Sequence, residues 1–526
     1  MKRFMMMCAI VALAFCTVHA DQPEVPAELV VGMGSYRVEL HPYKSIYAHE
    51  MQVFTALYEG LFSYDPQTLD PVRALAGSFE KSPDGKTWTF RIRQNAFWSD
   101  GSPVTALDFV ESWRYLLAPS TGAEYAVFLD IIKGAQDYRT GKNKRADSVG
   151  VQALDSKTLQ VELVAPAAYF TRLLCHSAFV PVHWSMRGIR DWTADKIVGN
   201  GPYRILSMDS GEMVLEADPL YWDAASVKSP GLRILFLDNE DEATARYNAG
   251  EIHWLMDMAD TDSLVTPDAM QFSPMFGTSY YFWNASAKPW NDARVRRALA
   301  LMIPWDKIRT EENYFSPTKV LILPFAGYES PEGINESNEE EARRLLAAAR
   351  FKDGKGLPPV RFVVPEGELH QANAAIFEEA WAPLGIKLEV TTVPAGDFTR
   401  DNRPDGFSLS FNGWIGEFDD PAAFLLMWVS DSGLNEAKYR SREYDRLIAR
   451  SMNEEGATRL ATLAEAEGKL LADAAVMPLY HSLSFNVVDL DVIQGWYVNP
   501  LDMHPFKSIY VGTPKANPLI VKAAWR

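Results

Sequence analysis

The chain has 526 residues, with Lys+Arg 51 against Asp+Glu 69 and a formal net charge of -18. At roughly 150 residues per domain this is about two to four domains' worth of chain, and 47% hydrophobic with 23% charged residues excludes a largely disordered protein. The acidic balance argues against nucleic acid and anionic lipid as partners, because both need a basic surface.

In chain order, the first element is a leader. Lys2 and Arg3 precede an apolar run from Met5 to Val18, and Val18-His19-Ala20 places small residues before a cut ahead of Asp21. That is the layout of a secretory signal peptide, residues 1–20, and the run is short for a bilayer. Cleavage removes two cations, taking the net charge from -18 to -20, and leaves Cys175 as the single thiol. A second reading takes Leu13-Ala14-Phe15-Cys16 as a lipoprotein box with Cys16 acylated, although Phe15 is bulky for one. Either reading exports the mature chain, and no other stretch is apolar enough to span a membrane.

Leu29-Val30-Val31 leads into Gly32-Met33-Gly34, which superficially resembles a dinucleotide loop. Arg37 stands where its last glycine belongs and Pro42 follows where a helix is needed, so the match is rejected. After the turn Pro83-Asp84-Gly85, Trp88, Phe90 and Ile92 alternate with Thr89, Arg91 and Arg93, predicting a strand with one buried face. Ser99-Asp100-Gly101 turns the chain. Thr105 and Asp108 then open a helix whose Phe109, Val110, Trp113, Leu116 and Leu117 share a stripe. Further on, 214–216 reads as strand, 243–249 as a helix stopped by Gly250, and 280–283 as a buried strand. Asp292 caps a helix carrying Val295, Ala298, Leu299 and Met302. Asn338 and Glu341 form a capping box, and 360–364 returns to strand. Helices and strands alternate without repeats or a soft linker, which favours α/β layers.

Catalytic patterns are missing: there is no G-x-S-x-G, H-E-x-x-H or P-loop. His176 and His183 near Cys175 lie in apolar, aromatic sequence and read as packing rather than metal ligands, and Cys175 as a buried, inert thiol. Carboxylates are numerous enough that a secreted acid-base hydrolase stays open as a second class. Aromatic residues are abundant, with Trp 15, Tyr 21 and Phe 27, some suited to a wet cleft.

Several blocks together resemble a known family. These are 57–61 (LYEGL), 82–93 (SPDGKTWTFRIR), 98–110 (WSDGSPVTALDFV), 199–203 (GNGPY), 221–223 (YWD), 291–296 (NDARVR) and Gly413-Trp414. In this order they are similar to the bacterial extracellular solute-binding proteins, family 5, the peptide and nickel group, nearest to periplasmic oligopeptide- and dipeptide-binding proteins. The resemblance implies an α/β periplasmic-binding-protein-like two-lobe clamp, with an additional α/β domain inserted in the first lobe. Lobe I would be 21–59, 183–278 and 485–526, the extra domain II 60–182, and lobe III 279–484. The hinge would be two strand crossings near Tyr280 and Ser484. It implies a non-enzymatic, monomeric receptor without cofactor or metal, binding short peptides in the periplasm for an ABC permease and ATPase. Within the same fold the cargo could instead be a nickel chelate, haem, a sugar or an amino-acid derivative.

The resemblance also carries site residues. In 413–421 (GWIGEFDDP), Glu417 stands where the family places an Asp for the peptide amine, with Gly413, Trp414 and Asp419 beside it. Asp420 before Pro421 ends the loop. Tyr125 falls on a ligand-contacting tyrosine loop, and His370 on a histidine that helps bind peptide carboxylates. The chain departs from the pattern twice. Phe411 replaces the arginine of oligopeptide binders and Gln371 that of dipeptide binders, so His370 or Lys319 is left to meet the C-terminus.

Overall fold

The computed structural model describes residues 28–512 except 36–37, 46, 168, 311–315, 325–326, 395–396, 401 and 419. The leader with Cys8 and Cys16, and Asp419 of the expected site, lie outside the described residues.

The apolar run at 29–31 forms strand β1 (Leu29–Gly34), with Gly32 inside it. A Cβ on Gly32 would come within 2.6 Å of the Leu255 side chain, so this glycine serves strand packing. Helix α1 (Ala48–Leu57) follows, then a small hairpin of β2 (Phe62–Tyr64) and β3 (Pro71–Arg73). Next come β4 (Ala76–Lys81), β5 (Thr87–Ile92), α2 (Ala106–Leu117), α3 (Ala135–Arg139), β6 (Val151–Asp155), β7 (Thr158–Glu162) and α4 (Phe170–Leu173). Strands β4-β5-β7-β6 make a separate antiparallel sheet. As predicted, β5 buries Trp88, Phe90 and Ile92, and α2 starts on a complete capping box of Thr105 and Asp108.

The chain then builds β8 (Tyr203–Met208), β9 (Glu212–Ala217), β10 (Gly231–Leu237), α5 (Glu240–Asn248) and β11 (Trp254–Met256) around β1. The long strand β12 (Met270–Trp283) leads to α6 (Ala293–Met302), β13 (Ser316–Pro317), α7 (Glu339–Ala348), β14 (Val360–Pro365), α8 (Glu368–Trp381), β15 (Leu388–Val393) and β16 (Leu409–Ile415). Helices α9 (Ala422–Leu425), α10 (Arg442–Ser451) and α11 (Gly456–Ala472) precede the second long strand, β17 (Val476–Val488), and β18 (Ile493–Gln494) and β19 (Tyr510–Val511) close the chain.

The main sheet runs β15-β14-β16-β12-β17-β11-β1-β10-β9-β8, with β13 on β17. Its two halves are joined by the antiparallel ladder of β12 and β17, from Met270↔Val487 to Phe282↔Val476. The register slips between Pro274 and Thr278, where β12 carries extra residues. At this bulge Phe276 N donates to Pro500 O (2.6 Å), and Phe276 O accepts from Gly416 N (2.7 Å). One core cluster in the second half gathers Trp283, Trp290, Phe377 and Trp381. Among the described residues no helix is long and apolar enough to cross a membrane.

Three local readings are corrected. Helix α5 begins at Glu240, not 243, because Asn239 caps Glu242 N; its first turn is Glu240-Asp241-Glu242, which suits the helix dipole but carries no apolar signal. The box at α7 is half made: Asn338 accepts from Glu341 N, while the Glu341 carboxylate pairs with Arg344. The 280–283 strand is the end of the much longer β12, whose earlier part is masked in sequence by Pro274 and Gly277.

Candidate functional site

Strand β16 is paired with β12 along its length, but with β14 only at Leu409 and Ser410. The bond from Gly416 N to Phe276 O sets the phase of the antiparallel ladder. Ser410, Asn412 and Trp414 exchange hydrogen bonds with β12, so the N–H and C=O groups of Gly413 and Ile415 point to the edge that β14 leaves uncovered. Gly413 is exposed there, and its N–H is met by its neighbour's side chain, Asn412 Oδ1, at 2.9 Å. The strand ends at Gly416, where a Cβ would lie 2.5 Å from the Phe276 ring, and this close approach turns the chain into Glu417.

The Glu417 side chain is 16% exposed and is met by two side chains from far earlier in the chain. Tyr125 Oη donates to Oε1 at 2.7 Å, and His176 Nε2 lies 2.8 Å from Oε2. His176 Nδ1 accepts from Ala178 N at 3.0 Å, which places the ring proton on Nε2, facing Glu417. Burial, then the negative charge of Glu417, pushes the Tyr125 phenol well above its usual range, so it remains a donor. Tyr64 Oη donates to the Glu417 backbone oxygen at 3.1 Å. Each carboxylate oxygen therefore has one donor and keeps capacity for another.

Beside Glu417 a small cavity of about 60 Å³ is lined by α1, by 175–177, by 415–417 and by Lys507. At its far side Glu59 accepts from the Tyr221 hydroxyl and the Trp222 indole, and Lys507 Nζ lies 3.8 Å from Glu59 and 3.6 Å from Asp223. Cys175 also lines the cavity. Its Sγ is 3.3 Å from Ser63 O, and burial pushes the thiol strongly upward, away from the reactive thiolate.

The other expected residues are placed as follows. Trp414 is buried, with Nε1 donating to Ala423 O at 2.9 Å, and its ring lies 6.2 Å from that of Tyr125. Phe411 packs edge-on against His370 at 4.5 Å. His370 itself is buried on α8. The Tyr281 hydroxyl accepts from Asn373 and donates to His370 Nδ1 at 3.1 Å, and burial lowers the imidazole to about 4. Lys319 pairs with Glu332 at 2.6 Å. Asp420 accepts from Ala422 N and holds Arg459 with both oxygens at 2.8 Å.

The structure thus brings Glu417, Trp414 and Tyr125 together and sets His370 and Phe411 in a separate packed group. His176, which reads in sequence as packing, is a partner of Glu417. Two further ion pairs cross between the same parts of the chain: Arg139, doubly bonded to Asp130, reaches Asp431, and Arg400 meets Glu124 at 2.8 Å. Among the described residues no group of three His, Cys, Asp or Glu could hold a metal ion.

Comparison with known proteins gives concordant matches. The family model for bacterial extracellular solute-binding proteins, family 5, matches residues 70–436. The periplasmic oligopeptide-binding protein OppA of Salmonella typhimurium is 32% identical, over 97% of this chain and 98% of its own. Among solved structures, Haemophilus influenzae OppA in complex with RPPGFSPFR superposes with TM-score 0.81 at 25% identity, covering 93% of this chain and all of that one. The murein tripeptide binding protein MppA of Escherichia coli gives TM-score 0.80 at 28% identity, covering 93% and 99%. Its unliganded open form, at the same identity and 93% and 98% coverage, gives only 0.61. The arrangement of the lobes here therefore differs from that open form.

Proposed function

The chain belongs to the bacterial extracellular solute-binding proteins, family 5, and from that premise we propose that it is an exported receptor that captures short peptides and delivers them to an ATP-driven importer. The observation that carries this reading is the Glu417 carboxylate at the end of an uncovered strand edge, met by Tyr125 and His176 from a distant part of the chain.

A peptide offers a cationic amine followed by regularly spaced N–H and C=O groups. The amine takes the remaining acceptor capacity of Glu417, as a charge-assisted hydrogen bond in a largely desolvated place. The ligand backbone pairs with the outward groups of β16, and its carbonyl replaces Asn412 Oδ1 on Gly413 N. Tyr125 and His176 hold Glu417 only when the extra domain, 60–182, meets lobe III, 279–484. A ligand that neutralises Glu417 therefore favours the closed arrangement, and that differential affinity is the whole of the closure signal. The bulge at 274–278 of β12, bonded to both Pro500 and Gly416, lies on one of the two long strands that would carry the hinge, expected near Tyr280 and Ser484. The relatives are named periplasmic, and the leader at 1–20 supports the same location here, with or without acylation of Cys16.

The test is a melting-temperature series with peptides of two to nine residues, followed by titration of Glu417→Ala. Binding should raise the melting temperature with ligand concentration. The variant should lose about 100-fold in affinity, roughly 2.7 kcal/mol. Absence of any shift across the series would sink the reading.

A further inference from the structure

We infer that the cleft reads the amino end of its cargo and leaves the carboxyl end unread, so that it takes peptides whether or not they carry a free C-terminal carboxylate. This rests on the peptide reading above and concerns the opposite end of the same ligand.

A ligand anchored at Glu417 and paired along β16 travels towards Phe411, about 20 Å away at roughly 3.3 Å per residue. At that end the surface is neutral. The Phe411 ring packs on His370 and Tyr281, and Gln371 is exposed and uncharged. His370 Nδ1 lies 3.1 Å from the Tyr281 hydroxyl, and burial holds its imidazole in the neutral form near pH 7. The nearest guanidinium, Arg403, reaches Phe411 O at 3.4 Å, and although its buried Nε has no hydrogen-bond partner, the group is shielded from solvent. It is bonded to Glu436, its side chain is 5% exposed, and its Cζ lies 5.2 to 5.6 Å from the rings of Phe282, Phe398 and Phe407. Glu436 is held in turn by Asn412 Nδ2 at 3.1 Å.

Three further cations are matched as well. Arg400 faces Glu124, Lys319 faces Glu332, and Lys507 faces both Glu59 and Asp223. A ligand carboxylate arriving at Arg400 or Lys507 would have to displace a partly buried acid and leave it unpaired, which costs as much as the new pair returns. The pair of Lys319 with the exposed Glu332, by contrast, is a surface one of little strength. Glu417 is different, because its partners are a hydroxyl and an imidazole rather than lysine or arginine. Glu417 thus keeps acceptor capacity that suits an amine, while the guanidiniums nearest the strand edge, Arg403 and Arg400, are each paired with an acid. A carboxyl end does better in water, past Phe411.

The experiment is calorimetric titration of the full mature protein with one peptide sequence prepared as free acid, C-terminal amide and N-acetyl acid, at three, five and seven residues. The expected result is acid and amide within threefold of each other at each length that binds, with N-acetylation weakening binding 30-fold or more. A preference of tenfold or more for the acid over the amide at any length overturns the inference while leaving the peptide reading intact. Indifference to N-acetylation overturns it from the other end. If no form binds at any length, the peptide reading fails and takes this inference with it.

Discussion

Two glutamates in this protein make similar bonds and do different things. Glu467, on α11, is fully buried and accepts from Leu321 N (2.7 Å), Ile322 N (3.1 Å) and Tyr328 Oη (2.6 Å), all on one segment of the same lobe. Glu417 also accepts from a tyrosine hydroxyl, but its donors Tyr125 and His176 lie 292 and 241 residues earlier in the chain. The backbone donors of Glu467 are in place whenever that lobe is folded. The side-chain donors of Glu417 are brought in by long-range contact. On the proposed closure, a carboxylate with local donors stabilises, whereas one with distant donors responds to what enters the cleft.

The comparison can be broken most forcefully at Glu467. Glu467→Ala leaves two backbone N–H groups and a tyrosine hydroxyl without an acceptor in a dry site, and should cost roughly 3–5 kcal/mol of stability. Denaturant unfolding checks the loss, and peptide affinity of the protein that remains folded should stay near the native value. If affinity falls instead by the factor expected of Glu417→Ala, the two glutamates are not separate devices. A smaller effect is expected at Tyr125→Phe, which removes one donor from Glu417 without opening a cavity. Peptide binding should weaken by about 1 kcal/mol, roughly fivefold, with little change in the melting temperature of the free protein. A large loss of stability without a change in affinity would place Tyr125 with the structural bonds.

The smallest expected effect is a slope in pH. Burial, the largest influence, raises the Glu467 carboxyl above its usual value against the hydrogen bonds that lower it. With the folded value above the unfolded one, the stability linked to this group is fully present below the unfolded value and is lost as pH rises through the folded one. The native protein should therefore lose more stability than Glu467→Gln between pH 5 and 8, as the difference between two denaturation series. Parallel series would mean that the carboxyl titrates alike in both states.

Much of the local structure is legible because its signals are short-range. The alternation at Trp88, Phe90 and Ile92, the cap of Thr105 and Asp108, and the stop at Gly250 all act over a few residues, and the strand and helices they predict are present. Where the signal is weak the reading fails. The acidic first turn of α5 has no apolar stripe, and β12 carries Pro274 and Gly277 because it bulges there. At the site, Glu417 is visible only through the family's loop pattern. Nothing near His176 in sequence marks it, since its charge partner lies 241 residues away.

By itself the sequence determined the α/β elements, the family and the acidic character of the chain, because side-chain periodicity, turn chemistry and charge are written residue by residue. Only the tertiary structure decided that β12 and β17 join both halves of one sheet, that His176 and Tyr125 face Glu417, and that His370 is buried against Tyr281 and Phe411. Those outcomes depend on which distant surfaces come into contact and how much water they exclude. The electrostatic meaning of a charged or titratable residue is set by that contact, not by its neighbours in the chain.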